Sequence, residues 1–151
     1  MQIYLLILLV FTPTLTAAQD RLQRCLDTAI TQDTMNSCAR HEIETSDAEL
    51  NRVYRELQVR YKDDPDFLMK LRAAQSAWIK FRNAQLEMKF PPHPKERYYY
   101  GSVFPICSML YLHQLTNDRL DTLREWLAGG TNGDVCVGSV KLPKELGHKK
   151  R

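Results

Sequence analysis

The chain has no C-x-x-C pair, no G-x-S-x-G elbow and no internal repeat. Strand-like alternation of useful length is also missing; at most Asp134 to Val140 could form one short strand. Each absence removes a class of function. Without paired C-x-x-C cysteines, a zinc ribbon or a thiol redox centre has no ligands. Without the elbow serine or an unpaired cysteine, acyl transfer has no nucleophile. Asp63, Asp64 and Asp66 are close together, but they lack the alternating ligand positions and the glycine of a calcium loop, so they read as a helix cap. His41, His93, His113 and His148 are scattered. No metal, no cofactor and no catalytic residue is expected, and the chain is read as a non-enzyme. The net charge is only +3, and no Lys/Arg stripe is interleaved with aromatics, so a nucleic-acid partner is not expected either.

What is present begins with residues 1–18. An apolar run from Tyr4 to Phe11, Pro13 and the small residues Thr16-Ala17-Ala18 read as a cleaved signal peptide. The run is shorter than the roughly 20 apolar residues of a membrane span. The mature protein is therefore expected in the periplasm or secreted, with no membrane attachment. The chain divides into the signal peptide 1–18, a domain over 19–130 and a basic tail over 131–151. An exported chain with four cysteines, Cys25, Cys38, Cys107 and Cys136, reads as two disulfides. Three pairings are possible, and the most local is Cys25–Cys38 with Cys107–Cys136.

The fold class is all-α. Asp20 to Ile30 places Leu22, Cys25, Leu26 and Ile30 on one side of a short helix. A long helix is expected over about Thr34 to Lys62, because Met35, Cys38, Ala39, Ile43, Leu50, Tyr54, Leu57 and Tyr61 recur at helical spacing. No Gly or Pro interrupts it, and Thr45-Ser46-Asp47 is the one place where it could kink. Asp64-Pro65 then starts a helix running to about Lys89, since Asp caps and Pro suits the first position. Pro91, Pro92 and Pro94 end it. A third long helix spans about Ser102 to Ala128, and Gly129-Gly130 stops it. The short acidic turn between the first two long helices implies an antiparallel hairpin, on which a small bundle is built.

The expected structural core is Leu50, Tyr54, Leu57, Trp78, Phe81, Arg82 and Arg119. Asn36, Asp47, Asn51 and Gln75 are polar residues near the same faces, and interhelical hydrogen bonds with an Asp–Arg pair account for them. Glu42, Glu44, Asp47 and Glu49, taken as a group of acids on one helix, read most simply as a solvated face. The candidate binding residues are in the long connection after Lys89: His93, Lys95, Arg97, Tyr98, Tyr99 and Tyr100. Tyr and Arg are enriched in binding hot spots, and a proline-stiffened loop loses less entropy on binding.

Several blocks in order resemble the LprI-type lysozyme-inhibitor domain of exported bacterial proteins. They are Cys25, then Thr34-Met35-Asn36-Ser37-Cys38-Ala39, then Asp47-Ala48-Glu49-Leu50-Asn51 with Tyr54 and Leu57. Leu71 to Trp78 follows with Phe81-Arg82-Asn83-Ala84, and then Gly101-Ser102, Pro105, Leu115-Thr116 and Arg119. The chain departs at Gln85 and Tyr111, where the family commonly has cysteines. The resemblance thus implies Cys25–Cys38 as the shared bridge, and Cys107–Cys136 as a replacement that ties down the tail. It implies a protein that binds and inhibits a lysozyme-like peptidoglycan hydrolase, as a lysozyme inhibitor or as an immunity protein against a delivered muramidase. The rival reading is a non-catalytic envelope assembly factor that holds another partner through its helices.

Overall fold

A computed structural model describes residues 17–91 and 99–143; the expected signal peptide through residue 16, and Pro92 to Tyr98 of the loop, lie outside them. The elements are α1 (Ala17–Thr28), α2 (Gln32–Arg60), α3 (Pro65–Lys89), α4 (Phe104–Ala128) and a 3₁₀ turn over Val135–Val137. Among the described residues there is no strand, and no helix is long and apolar enough to cross a membrane.

Local chemistry sets the helix ends. Thr31 and Thr34 form a reciprocal cap: the Thr34 amide donates to the Thr31 hydroxyl at 3.2 Å, and the Thr31 amide donates to Thr34 at 3.1 Å. α2 runs through Thr45-Ser46-Asp47 without a break. Thr45 and Ser46 return their hydroxyls to the carbonyls of His41 and Ile43, so neither competes for a helical amide. Asp64 Oδ1 accepts from the Phe67 amide at 2.9 Å and Pro65 opens α3, as the sequence indicates. Gly129, at φ 90°, ends α4 in backbone that side-chain-bearing residues avoid.

The order of contacts gives the topology. Glu42 and Asp47 of α2 and its capping residue Tyr61 meet His113, Thr116 and Trp126 of α4 in the same sequence order, so these helices are parallel. Asp47 meets Arg82 of α3 while Tyr61 stacks on Phe67, so α3 is antiparallel to α2. The expected hairpin is present. The closest pair, however, is α2 with α4, where the small buried residues Ser46 and Thr116 allow the helices to approach. α3 reaches them mainly through longer side chains.

The core lies at the α2–α3 turn. Leu50, Val53 and Leu57 of α2 and its capping residue Tyr61 pack with Phe67 and Leu71 of α3 and with Leu120 and Leu123 of α4. Full burial of an aliphatic side chain such as Leu57 stabilises by about 1.5–3 kcal/mol. Tyr54 and Trp78 are only partly buried against this cluster. Phe81, expected in the core, is 52% exposed. α3 has apolar residues on both faces, so helical spacing alone did not distinguish inside from outside.

Cys25 and Cys38 are bridged, with Cα atoms 5.8 Å apart, and pin α1 antiparallel to α2. The bridge contributes about 3 kcal/mol in the chain-entropy account. The expected Cys107–Cys136 bridge is not formed, and both cysteines are free and exposed. Cys107 is in the first turn of α4 and Cys136 lies beyond its other end, about 30 Å away along a helix rising ~1.5 Å per residue. The tail is held by other means. The Lys141 amide donates to Tyr61 Oη at 2.9 Å, and Arg60 Nη2 donates to the carbonyls of Lys141 and Leu142. Lys141 Nζ donates to the Arg60 carbonyl and sits 4.9 Å from the Tyr61 ring centre.

Candidate functional site

The end of the bundle opposite the core carries the long connection, and aromatic side chains close it. Phe90 follows the last turn of α3, and its ring meets Tyr100, Phe104 and Tyr111 edge-on at 5.7, 5.5 and 6.4 Å between centres. Tyr100 stacks on Phe104 at 5.5 Å and donates its hydroxyl to the Pro91 carbonyl at 2.9 Å. Edge-on and offset pairs of this kind add roughly 0.5–1.5 kcal/mol each beyond burial. The chain turns at Gly101, whose φ of 69° suits glycine. Tyr99 lies 5.0 Å from Tyr100 between ring centres but remains 55% exposed.

The two described tyrosines of the expected site therefore differ in kind. Tyr100 is part of the aromatic cap, and Tyr99 stands exposed beside it. His93, Lys95, Arg97 and Tyr98 lie outside the described residues. Beside the cap is a shallow groove of about 450 Å³ lined by Lys89, Phe90, Cys107, Leu110, Tyr111 and Gln114. The Lys89 ammonium lies 3.8 Å from the Tyr111 ring centre, a cation–π contact. Thus the end of the bundle combines a displayed tyrosine, a fixed aromatic base and a cation.

Polar residues hold α2, α3 and α4 in register below this end. Arg82 Nη1 donates to Asp47 Oδ1 at 2.9 Å and to Thr116 Oγ1 at 3.3 Å, and its guanidinium lies 4.9 Å from the Trp78 ring centre. Arg119 donates to Gln75 Oε1 at 3.1 Å, and burial holds its pKa below the usual arginine value. These are the interhelical contacts expected of Asp47, Gln75, Arg82 and Arg119. Asn36 instead accepts from Gln32 within α2, and Asn51 is exposed.

A second polar cluster was not anticipated. Glu42, read as solvated, is 2% exposed and accepts two hydrogen bonds from Arg21 of α1, each 2.8 Å long. Those bonds hold its carboxyl below the ordinary range, against the opposing effect of burial. His113 Nδ1 lies 3.1 Å from the Glu42 carbonyl and 3.2 Å from Ser46 Oγ, while Asn117 approaches Nε2 at 2.9 Å. A carbonyl only accepts, so Nδ1 carries the proton. The cluster lines a cleft of about 640 Å³ between α1, α2 and α4. Its polar atoms bond one another, which is the arrangement of a structural brace. The only sequence signal was the position of Glu42, four residues after Cys38, which the disulfide draws towards α1.

A family model described as Lysozyme inhibitor LprI matches residues 25–123. The match runs from the bridge cysteine in α1 to Leu123 in the core and stops before the tail. No curated protein and no solved structure matches the chain.

Proposed function

This chain belongs to the lysozyme inhibitor LprI family, and on that premise we propose that it is an exported protein that binds and blocks a lysozyme-like peptidoglycan hydrolase. The family match carries the proposal. It acts by occupying the enzyme, without chemistry of its own. A muramidase cleaves glycan in a long cleft between two carboxyl groups, so a protein that fills the cleft excludes the substrate.

The aromatic end of the bundle has properties suited to that task. Its base is fixed by the Phe90, Tyr100, Phe104 and Tyr111 contacts. A displayed ring on a fixed base loses little conformational entropy when it binds. The sequence adds Lys95 and Arg97 just before Tyr99, cations suited to a cleft that contains carboxylates. The signal-peptide reading of residues 1–18 places the protein where such hydrolases act.

The test is a turbidity assay of cell-wall lysis by a panel of muramidases with purified protein added. Inhibition of at least one enzyme at micromolar protein is expected. If none of them slows, the proposal fails.

A further inference from the structure

The outward face of α3 has its own pattern. Ala74, Ala77, Phe81, Ala84 and Met88 follow one another at steps of three and four residues, and all five are exposed. Phe81 is 52% and Met88 70% exposed. Such alternating steps form the seam of a helix pair, and this one flanks the face that α3 already buries through Phe67, Leu71 and Trp78. A continuous apolar seam on the solvent side of a helix marks a surface that a partner covers.

We propose that this seam pairs with the same seam of a second copy, with the two α3 helices antiparallel about a two-fold axis near Ala84. The charges beside the seam determine occupant and direction. Lys80 and Glu87 lie on one flank, seven residues apart, and neither has an ionic partner among the described residues. In an antiparallel pair each flank meets its own equivalent, so Lys80 faces Glu87 of the second copy and the reverse pair forms by symmetry. A parallel pair would set this flank against the opposite one, which carries Trp78 and Gln85, and would leave Lys80 and Glu87 uncompensated. The apolar residues fit the same axis. Ala84 meets Ala84, whose small size allows close approach, and Phe81 of each copy lies against Met88 of the other. The C-terminal part of the seam, Phe81 to Met88, is thus complementary to itself in size and charge.

The test uses the whole protein with Cys107→Ser and Cys136→Ser, which leaves the Cys25–Cys38 bridge intact. Sedimentation at about 100 µM, a concentration that fills a micromolar interface, is expected to show a dimer. Phe81→Lys, at an exposed position, is expected to give a monomer with unchanged helical circular dichroism. Added to the same background, Ala84→Cys is expected to cross-link under mild oxidation at least tenfold faster than Ala74→Cys, which lies about 15 Å along the helix from the axis. A monomer at that concentration, a dimer that survives Phe81→Lys, or equal cross-linking at the two positions overturns the proposal. A chain that is monomeric alone but loses hydrolase inhibition with Phe81→Lys also overturns it, and would assign the seam to the hydrolase.

Discussion

Tyr111 of α4 donates its hydroxyl to Gln85 Oε1 of α3 at 3.2 Å. These are the two positions where the family resemblance expects cysteines, so a hydrogen bond joins the helices where relatives would carry a bridge. A neutral hydrogen bond contributes about 1 kcal/mol, whereas a disulfide closing this loop contributes about 3 kcal/mol. Gln85→Cys combined with Tyr111→Cys is expected to form a bridge and raise the urea midpoint. Thiol titration of the unfolded double variant should still count only Cys107 and Cys136, the two that are free in the native chain. Four reactive thiols would mean that the helices are spaced for a hydrogen bond and not for a disulfide.

The Arg82–Asp47 pair makes a different kind of contribution. The Arg82 side chain is 20% exposed and that of Asp47 41%, so the pair is screened in part. Thr116 bonds both partners, but Arg82 also lies over the Trp78 ring, a contact that Asp47 does not share. Arg82→Ala is expected to cost about 2–3 kcal/mol in urea unfolding, and Asp47→Ala about 1–2 kcal/mol. A double-mutant cycle should show coupling of about 1 kcal/mol. Additive losses would show that the register is set by packing alone.

Acid should weaken the fold through α2. Glu42 is held below the ordinary range chiefly by Arg21, and Glu49 is lowered from 4.5 to about 2 chiefly by Arg52, with Arg124 adding to it. A carboxylate with a depressed folded pKa stabilises the protein above its unfolded pKa, and that stability is lost as pH falls through the folded value. The urea midpoint is therefore expected to decline between about pH 5 and about pH 2, and Glu49→Gln should flatten the decline. A wild-type midpoint constant over that interval would contradict the assignment.

The parts of the fold written in local chemistry were legible. Thr31 and Thr34, Asp64-Pro65, and Gly129 mark helix ends by residue type, and the structure places the ends within a few residues of them. Cys25–Cys38 followed from the family resemblance. The parts that depend on distant chain segments were not legible. Glu42 is buried because Arg21, on another helix, meets it. Phe81 faces outward because α3 is apolar on two sides, and spacing cannot rank two apolar faces. Cys107 and Cys136 read as a pair because an even count suggests pairing, but the length of α4 separates them. Of the candidate site, Tyr99 and Tyr100 are placed, and their different roles come from Phe90 and Phe104 packing on only one of them.

That difference gives the sharpest functional prediction. Tyr100 packs on Phe90 and Phe104 and is bonded to the Pro91 carbonyl. Tyr100→Ala should therefore lower stability by about 1–3 kcal/mol, and it should weaken inhibition only because Tyr99 loses its base. Tyr99, 55% exposed, should behave oppositely. Tyr99→Ala is expected to cost less than Tyr100→Ala, about 1 kcal/mol in urea unfolding, because it gives up an edge-on contact with Tyr100 while much of its ring is already exposed. Its inhibition constant should rise by about 30-fold or more, the loss of about 2 kcal/mol that a hot-spot aromatic supplies. Tyr99→Phe keeps the ring and removes the hydroxyl, so its inhibition constant tells whether ring burial or a hydrogen bond carries the contact. If Tyr99→Ala inhibits as well as wild type while Tyr100→Ala does not, the aromatic cap itself touches the hydrolase and Tyr99 is a bystander.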